Sequence, residues 1–309
     1  MSILIVINPI SGTGGRRGVV PHRVALASAL SRACGLETEV VVSERPGHAR
    51  DLAWRALERG AELCVAWGGD GTINEVGSAV VQHPNAALGV IPSGSGNGLA
   101  RELRIPFDTK AAFDIALGSA ERMIDCGELD GRFFFNLAGL GLDARVAHEF
   151  TVRGLQRRGF RRYLEITLRE LFRGEPDEHT IVADDVTLRT RPMLVALANG
   201  RQYGNGALIA PDARLDDGCL DVVVVEDRTA WRALLEMPFL FAGQAGRMPG
   251  VTTLKARRVE VTSARPALFH VDGEPHIGGV RLVARVHEHA LRVRVPAGPL
   301  RGTRPTYRP

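Results

Sequence analysis

At 309 residues the chain exceeds what one hydrophobic core comfortably fills, so two domains are expected. Apolar residues make up 45% and charged residues 24%, which excludes wholesale disorder, while a net charge of +4 and a pI near 9.2 suit a polyanion or an anionic membrane without choosing between them. The four cysteines, Cys34, Cys64, Cys126 and Cys219, are too far apart for a zinc knuckle or a redox dithiol. No apolar run approaches the ~18 residues of a membrane-crossing helix, so the expected location is the cytoplasm, with peripheral contact at the inner face of the cell membrane.

The N-terminal run Ile3-Leu4-Ile5-Val6-Ile7 reads as a first strand, not a signal peptide. A Gly-rich turn and a helix over 19–34 follow, then a strand at 39–43 and a helix at 48–59. A strand at 63–67, a helix at 72–81 and a strand at 88–91 complete a pattern that predicts a parallel sheet with crossover helices. Ligands of such sheets bind at the carboxyl ends of the strands, where the Gly-rich turns fall. Beyond about Arg122 the texture becomes β-rich, with runs at 133–135, 180–188, 193–198, 220–225, 258–262, 280–286 and 291–295, and helices expected at 155–173 and 231–241. This predicts a nucleotide-binding α/β domain over 1–123 and an antiparallel β-sandwich domain over 124–286, with 287–300 packing back on the first and a loose tail from Pro296.

The densest chemical signal is Gly68-Gly69-Asp70-Gly71-Thr72-Ile73-Asn74-Glu75, at the junction of a buried strand and a helix. Glycines admit close backbone approach, and a helix N-terminus offers amide donors to phosphate. Thr72 and Glu75 have capping-box spacing, and Asp70 is suited to hold magnesium or to orient a nucleophile. A second turn, Ser93-Gly94-Ser95-Gly96-Asn97-Gly98, offers hydroxyl and amide groups to phosphate or ribose. The first turn, Asn8 to Arg17, is neither a Walker A loop nor a dinucleotide fingerprint; Arg16 is suited to neutralise phosphate, or is a surface arginine.

Far downstream, His270-Val271-Asp272-Gly273-Glu274 places two carboxylates around a glycine. Asp272 is a candidate general base, although D-G-E also spells a plain hairpin turn, and His270 reads as structural. The loop Ala210 to Asp221 offers oxygen ligands to a hard cation, or is a polar turn. A basic stretch, Arg153, Arg157, Arg158, Arg161 and Arg162, interleaved with Leu155, Phe160, Tyr163 and Leu164, suits an anionic bilayer or a solvated helix face.

Taken in order, G-G-D-G-T-x-N-E-V, P-x-G-S-G-N-x-L-A, A-P-x-A-x-L-D-D-G and V-D-G-E resemble the diacylglycerol kinase catalytic family, as does Phe135-Asn136 through Gly141-Leu142-Asp143-Ala144. The resemblance spans residues 3–295. It implies an NAD-kinase-like α/β domain and a β-sandwich, with ATP and lipid meeting in the cleft. It also implies a phosphate loop at Gly68, Gly69, Asp70, Gly71, Thr72, Ile73 and Asn74, with Asn8, Ser43, Ser95, Gly96 and Asn97 on the nucleotide. Ser43 stands where threonine is commoner. Asp272 becomes the proton acceptor, with Glu274 supporting the nucleotide or metal. A structural Mg2+ is implied at Asp217 with the carbonyls of Arg214 and Cys219. Related sphingosine kinases assign the base to the G-G-D-G aspartate, so Asp70 and Asp272 both stand as catalytic candidates.

The expected partners are ATP and a lipid hydroxyl at an anionic membrane surface. Diacylglycerol is the leading acceptor, with a sphingoid base or ceramide as the alternative. An NAD kinase and a non-catalytic lipid-binding regulator are the rival readings. Nothing resembles a nucleic-acid platform, and a homodimer is left open.

Overall fold

The computed structural model describes residues 2–12, 19–118, 120–152, 160–173, 177–204 and 207–298. The chain divides into two compact units, residues 1–124 with 290–309, and residues 125–289.

In the first unit β1 (Ile3–Ile7), α1 (Val19–Ala33), β2 (Thr38–Val42), α2 (His48–Glu58), β3 (Leu63–Gly68), α3 (Asp70–Val80) and β4 (Ala87–Pro92) alternate strictly, followed by α4 (Gly98–Glu102) and α5 (Thr109–Ala116). The strands pair in parallel in the order β2-β1-β3-β4. Every residue of β1, β3 and β4 is buried, which is why each reads as an unbroken apolar run and not as an alternating one. Trp67 at the end of β3 meets Phe113 of α5 edge to face, with ring centroids 5.5 Å apart.

The chain continues with β5 (Glu121–Leu129), β6 (Arg132–Phe134), β7 (Leu137–Gly141), α6 (Leu142–Val152), α7 (Phe160–Arg173), β8 (His179–Ala183), β9 (Val186–Thr190) and β10 (Pro192–Ala198). Then come β11 (Gln202–Gly204), β12 (Ala207–Leu208), β13 (Leu220–Glu226), α8 (Ala230–Phe241), β14 (Val251–Ala256), β15 (Arg258–Ser263), β16 (Leu268–Val271), β17 (Glu274–Ile277) and β18 (Arg281–Arg294). In the second unit a six-stranded antiparallel sheet runs β14-β13-β10-β7-β16-β17. A further antiparallel array runs β18-β15-β8-β9. One core cluster draws Phe134, Leu140, Val195, Val222 and Phe269 together with Ile181, Val259, Val261 and Leu282, so the two arrays share a sandwich core. The last residues of β18 belong to the first unit, where Val293 lies beside Leu88 of β4.

Three expected strands differ. Residues 180–188 form the hairpin β8-β9, turning at Asp184 (φ +46°), whose carboxylate accepts the Arg257 and Arg258 amides. Residues 280–286 and 291–295 are one strand, β18. Its polar middle, His287 to His289, is a place where strand groups serve two acids of β5: His289 (φ +48°) donates its amide to the buried Asp125, and His287 pairs with the half-buried Glu128.

Candidate active-site elements

In the first unit the turns after β1, β3 and β4 interlock. Asp70 opens α3 behind the N-cap Gly69, and its carboxylate accepts the amides of Asn97 (2.7 Å) and Gly98 (2.6 Å) at the start of α4. The two glycine turns touch backbone to backbone: a Cβ on Gly94 would lie 2.6 Å from the Gly69 Cα. Asn97 (φ +55°, fully buried) closes its own turn, accepting the Gly94 amide at 2.9 Å and donating to the Gly94 carbonyl at 2.6 Å. The amides of Gly71 and Thr72 lie in the first turn of α3, where no intrahelical carbonyl is available and the helix dipole is positive.

Asn8, just past β1, donates from Nδ2 to Thr72 Oγ1 at 2.8 Å, tying the first turn to α3. Ser43 continues β2 beside it, its amide on the Ile7 carbonyl. Ser95 is exposed at the tip of its turn beside Gly96, whereas Ile73 packs into the core, so only its backbone is available to a nucleotide. Asn74 sits on α3 with Ser78 Oγ near its side-chain oxygen. The capping-box expectation is corrected: α3 starts at Asp70, and Glu75 caps α2 instead, accepting from Gly47 (2.8 Å) and Ala49 (2.9 Å), because the α2 N-cap is a glycine without a side chain of its own.

Arg23 of α1 escaped the sequence reading. Although an arginine, it is only 8% exposed, and its guanidinium holds the Asn8 carbonyl, the Ser11 carbonyl and Ser11 Oγ, each at 3.1 Å. It lies over the Trp67 ring, and burial lowers its pKa. Ser11 reaches Ser93 at 2.8 Å, so the first and last turns are joined through side chains. Arg16 and Arg17 fall outside the described residues.

In the second unit Asp272 (φ +46°) and Gly273 (φ +84°) form the two-residue turn between β16 and β17, the left-handed pair that Asp-Gly favours. The Asp272 carboxylate accepts three backbone amides, from Phe135 (2.9 Å), Asn136 (3.0 Å) and Leu137 (3.0 Å). Behind it, His270 Nδ1 accepts the Gly273 amide at 3.3 Å, which assigns the ring proton to Nε2, donated to Asp143 at 2.9 Å. A Cβ on Gly139 would lie 2.2 Å from that Asp143 oxygen, so the glycine makes room for the pair. Glu274 is exposed at the start of β17, opposite Val271.

The Asp217 turn is linked to this hairpin. The Gly218 amide donates to the fully buried Asp125 carboxylate at 2.7 Å; Asn199 Nδ2 donates to the carbonyls of Asp125 and Phe135, both at 2.9 Å; and the Phe135 amide bonds Asp272. Burial pushes the Asp125 carboxyl above its usual range despite those amide bonds. Lys255 Nζ lies 2.7 Å from Asp217 and 3.0 Å from Asp221, its cross-strand neighbour, while the other Asp217 oxygen takes the Cys219 amide at 3.3 Å and Arg214 pairs with Asp216. Burial works against the Lys255 ammonium, but its two carboxylates outweigh that and hold its pKa high. A divalent ion held by Asp217 with the Arg214 and Cys219 carbonyls would share the Asp217 carboxylate with Lys255.

Of the basic stretch, Arg153, Arg157 and Arg158 lie outside the described residues, and Arg161 and Arg162 stand in the first turn of α7.

Residues 2–129 match the model of the diacylglycerol kinase catalytic domain, and residues 136–295 that of the YegS C-terminal NAD kinase β-sandwich-like domain. The chain is 33% identical to a protein of Pseudomonas aeruginosa named "Probable lipid kinase YegS-like", over 90% of this chain and 91% of that one. It is 31% identical to a diacylglycerol kinase of Staphylococcus epidermidis, over 87% and 84%. The fold is similar to that of a diacylglycerol kinase crystal structure from Bacillus anthracis, with a TM-score of 0.71 at 16% identity, covering 96% of this chain and 97% of that one.

Proposed function

The chain belongs to the diacylglycerol kinase family of lipid kinases, and from that premise we propose that it transfers the γ-phosphoryl group of ATP to the free hydroxyl of diacylglycerol, giving phosphatidic acid and ADP. The observation that carries this reading is the Asp272 carboxylate, held in a left-handed turn by three backbone amides. A hydroxyl attacking phosphorus must lose its proton, and a positioned carboxylate takes it.

In this reading the lipid oxygen bonds to the γ-phosphorus as the bond to the β–γ bridging oxygen breaks, and the hydroxyl proton passes to Asp272. The amides at the start of α3, with Asn8, Ser43 and the Ser95–Asn97 turn, bind the nucleotide. Asp70 is a positioning residue, its oxygens engaged by Asn97 and Gly98. Mg2+ bound with the triphosphate supplies charge neutralisation. The acceptor's acyl chains and the chain's basic charge support a place at the inner membrane face. Among the described residues no helix is long and apolar enough to cross a membrane.

The test supplies ATP carrying a labelled γ-phosphate together with dispersed diacylglycerol, ceramide, a sphingoid base or NAD, each separately. Label in phosphatidic acid is expected. Preferential labelling of a sphingolipid reassigns the acceptor, and labelling of NAD alone overturns the reading.

A further inference from the structure

The most anomalous surface of the second unit is α8. Trp231, Leu235 and Phe239 are 70%, 78% and 45% exposed and recur every four residues, so they form one stripe about 12 Å long on a single helix face. Phe172 at the end of α7 is 58% exposed and extends the stripe, meeting Trp231 edge to face with centroids 5.9 Å apart. Single exposed apolar side chains are ordinary; four large ones in one patch mark a surface that is covered in use.

We propose that this stripe seats the protein on an anionic bilayer. The charge around it favours that occupant. Glu236 is the only acid in α8, and it is turned in at 9% exposure and paired with both Arg228 and Arg232. The outward face therefore offers no uncompensated negative charge, while the Arg232 side chain, 51% exposed, stands on its rim. An apolar strip with an arginine edge suits acyl chains below and anionic headgroups beside it, and tryptophan favours that boundary. The stripe is separate from the hairpin of Asp272 and serves to bring the enzyme to its substrate. It rests on the lipid-kinase reading only for the identity of that substrate.

The test compares the full chain with Trp231→Ser and with the triple variant Trp231→Ser/Leu235→Ser/Phe239→Ser. It measures co-sedimentation with phosphatidylglycerol/phosphatidylcholine vesicles, turnover of diacylglycerol in those vesicles, and turnover of a short-chain diacylglycerol dissolved as monomers. Because the side chains are exposed, both variants should melt as the parent does. The triple variant should lose at least ~10-fold in vesicle binding and in vesicle turnover, the single variant less, and turnover of the monomeric lipid should stay unchanged. Undiminished vesicle binding by the triple variant overturns the proposal, as does a parent chain that ignores vesicles. So does a triple variant that changes only the sedimenting mass of the free protein, which would assign the stripe to a second copy. Absent turnover of the monomeric lipid by the parent would sink the kinase reading instead, leaving the vesicle-binding result to stand by itself.

Discussion

Asp272 and Leu137 grip each other twice, although 135 positions separate them: the Leu137 amide donates to Asp272 Oδ1 at 3.0 Å, and the Asp272 amide donates to the Leu137 carbonyl at 2.8 Å. The carboxylate is thereby part of the join between β7 and the β16-β17 hairpin as well as a reactive group. Asp272→Ala strands three backbone amides, so it should cost about 3 kcal/mol of stability in chemical denaturation. Asp272→Asn keeps one oxygen and should cost about half of that. Equal stability of the two variants would contradict this.

Asp70 ties the start of α3 to the start of α4 through the Asn97 and Gly98 amides. Asp70→Ala should lower stability by about 1–3 kcal/mol and loosen the glycine turns. Steady-state kinetics of Asp70→Asn should show KM for ATP raised ~10-fold with kcat less affected, because one acceptor oxygen remains. A collapse of kcat at unchanged KM would instead make Asp70 the base.

His276 on β17 supplies a pH dependence. Burial first, then Arg132 and His270, lower its pKa from 6.5 to about 4. In the unfolded chain the ring binds its proton at the higher value, so in the window between the two pKa values the unfolded state holds more protons. Stability is therefore full above pH 6.5 and is lost as pH falls towards 4. The loss attributable to this ring should be on the order of 2 kcal/mol, because solvent still reaches it. Denaturation midpoints of the parent and His276→Gln across that window should converge; parallel curves would contradict the assignment.

Lys255 carries the positive charge shared by Asp217 and Asp221. Lys255→Met should lower stability by about 1–2 kcal/mol, since the lysine is partly exposed while Asp221 is not. Thermal melting with and without millimolar magnesium or calcium should show partial rescue of the variant only. An unchanged melting temperature for the variant would show that the pair contributes nothing.

The first unit was legible because its physics is local. Buried parallel strands must be apolar throughout, and each of β1, β3 and β4 ends in a glycine or proline turn, so composition marks both the element and its end. The second unit hides its logic. β5 carries Asp125 in its middle, which argues against a buried strand until its partners Gly218 and His289 come from 93 and 164 positions away. β7, Leu-Ala-Gly-Leu-Gly, has little strand propensity, and Gly139 is there because Asp143 and His270 fill its space. The Asp272 turn was readable from Asp-Gly, but its amide donors were not, being fixed by tertiary pairing alone. Arg23 gave no signal, since nothing in a helix sequence announces which arginine will be buried.

The central claim is that the pinned Asp272 carboxylate takes the proton of the attacking lipid hydroxyl. Single-turnover transfer of label from γ-labelled ATP to diacylglycerol tests it most directly, with the parent and Asp272→Asn compared at matched, confirmed nucleotide occupancy. Labelled phosphatidic acid should form with the parent and fall by ~100-fold or more with the variant, while nucleotide binding persists. Label appearing at the parent rate with Asp272→Asn would contradict the account.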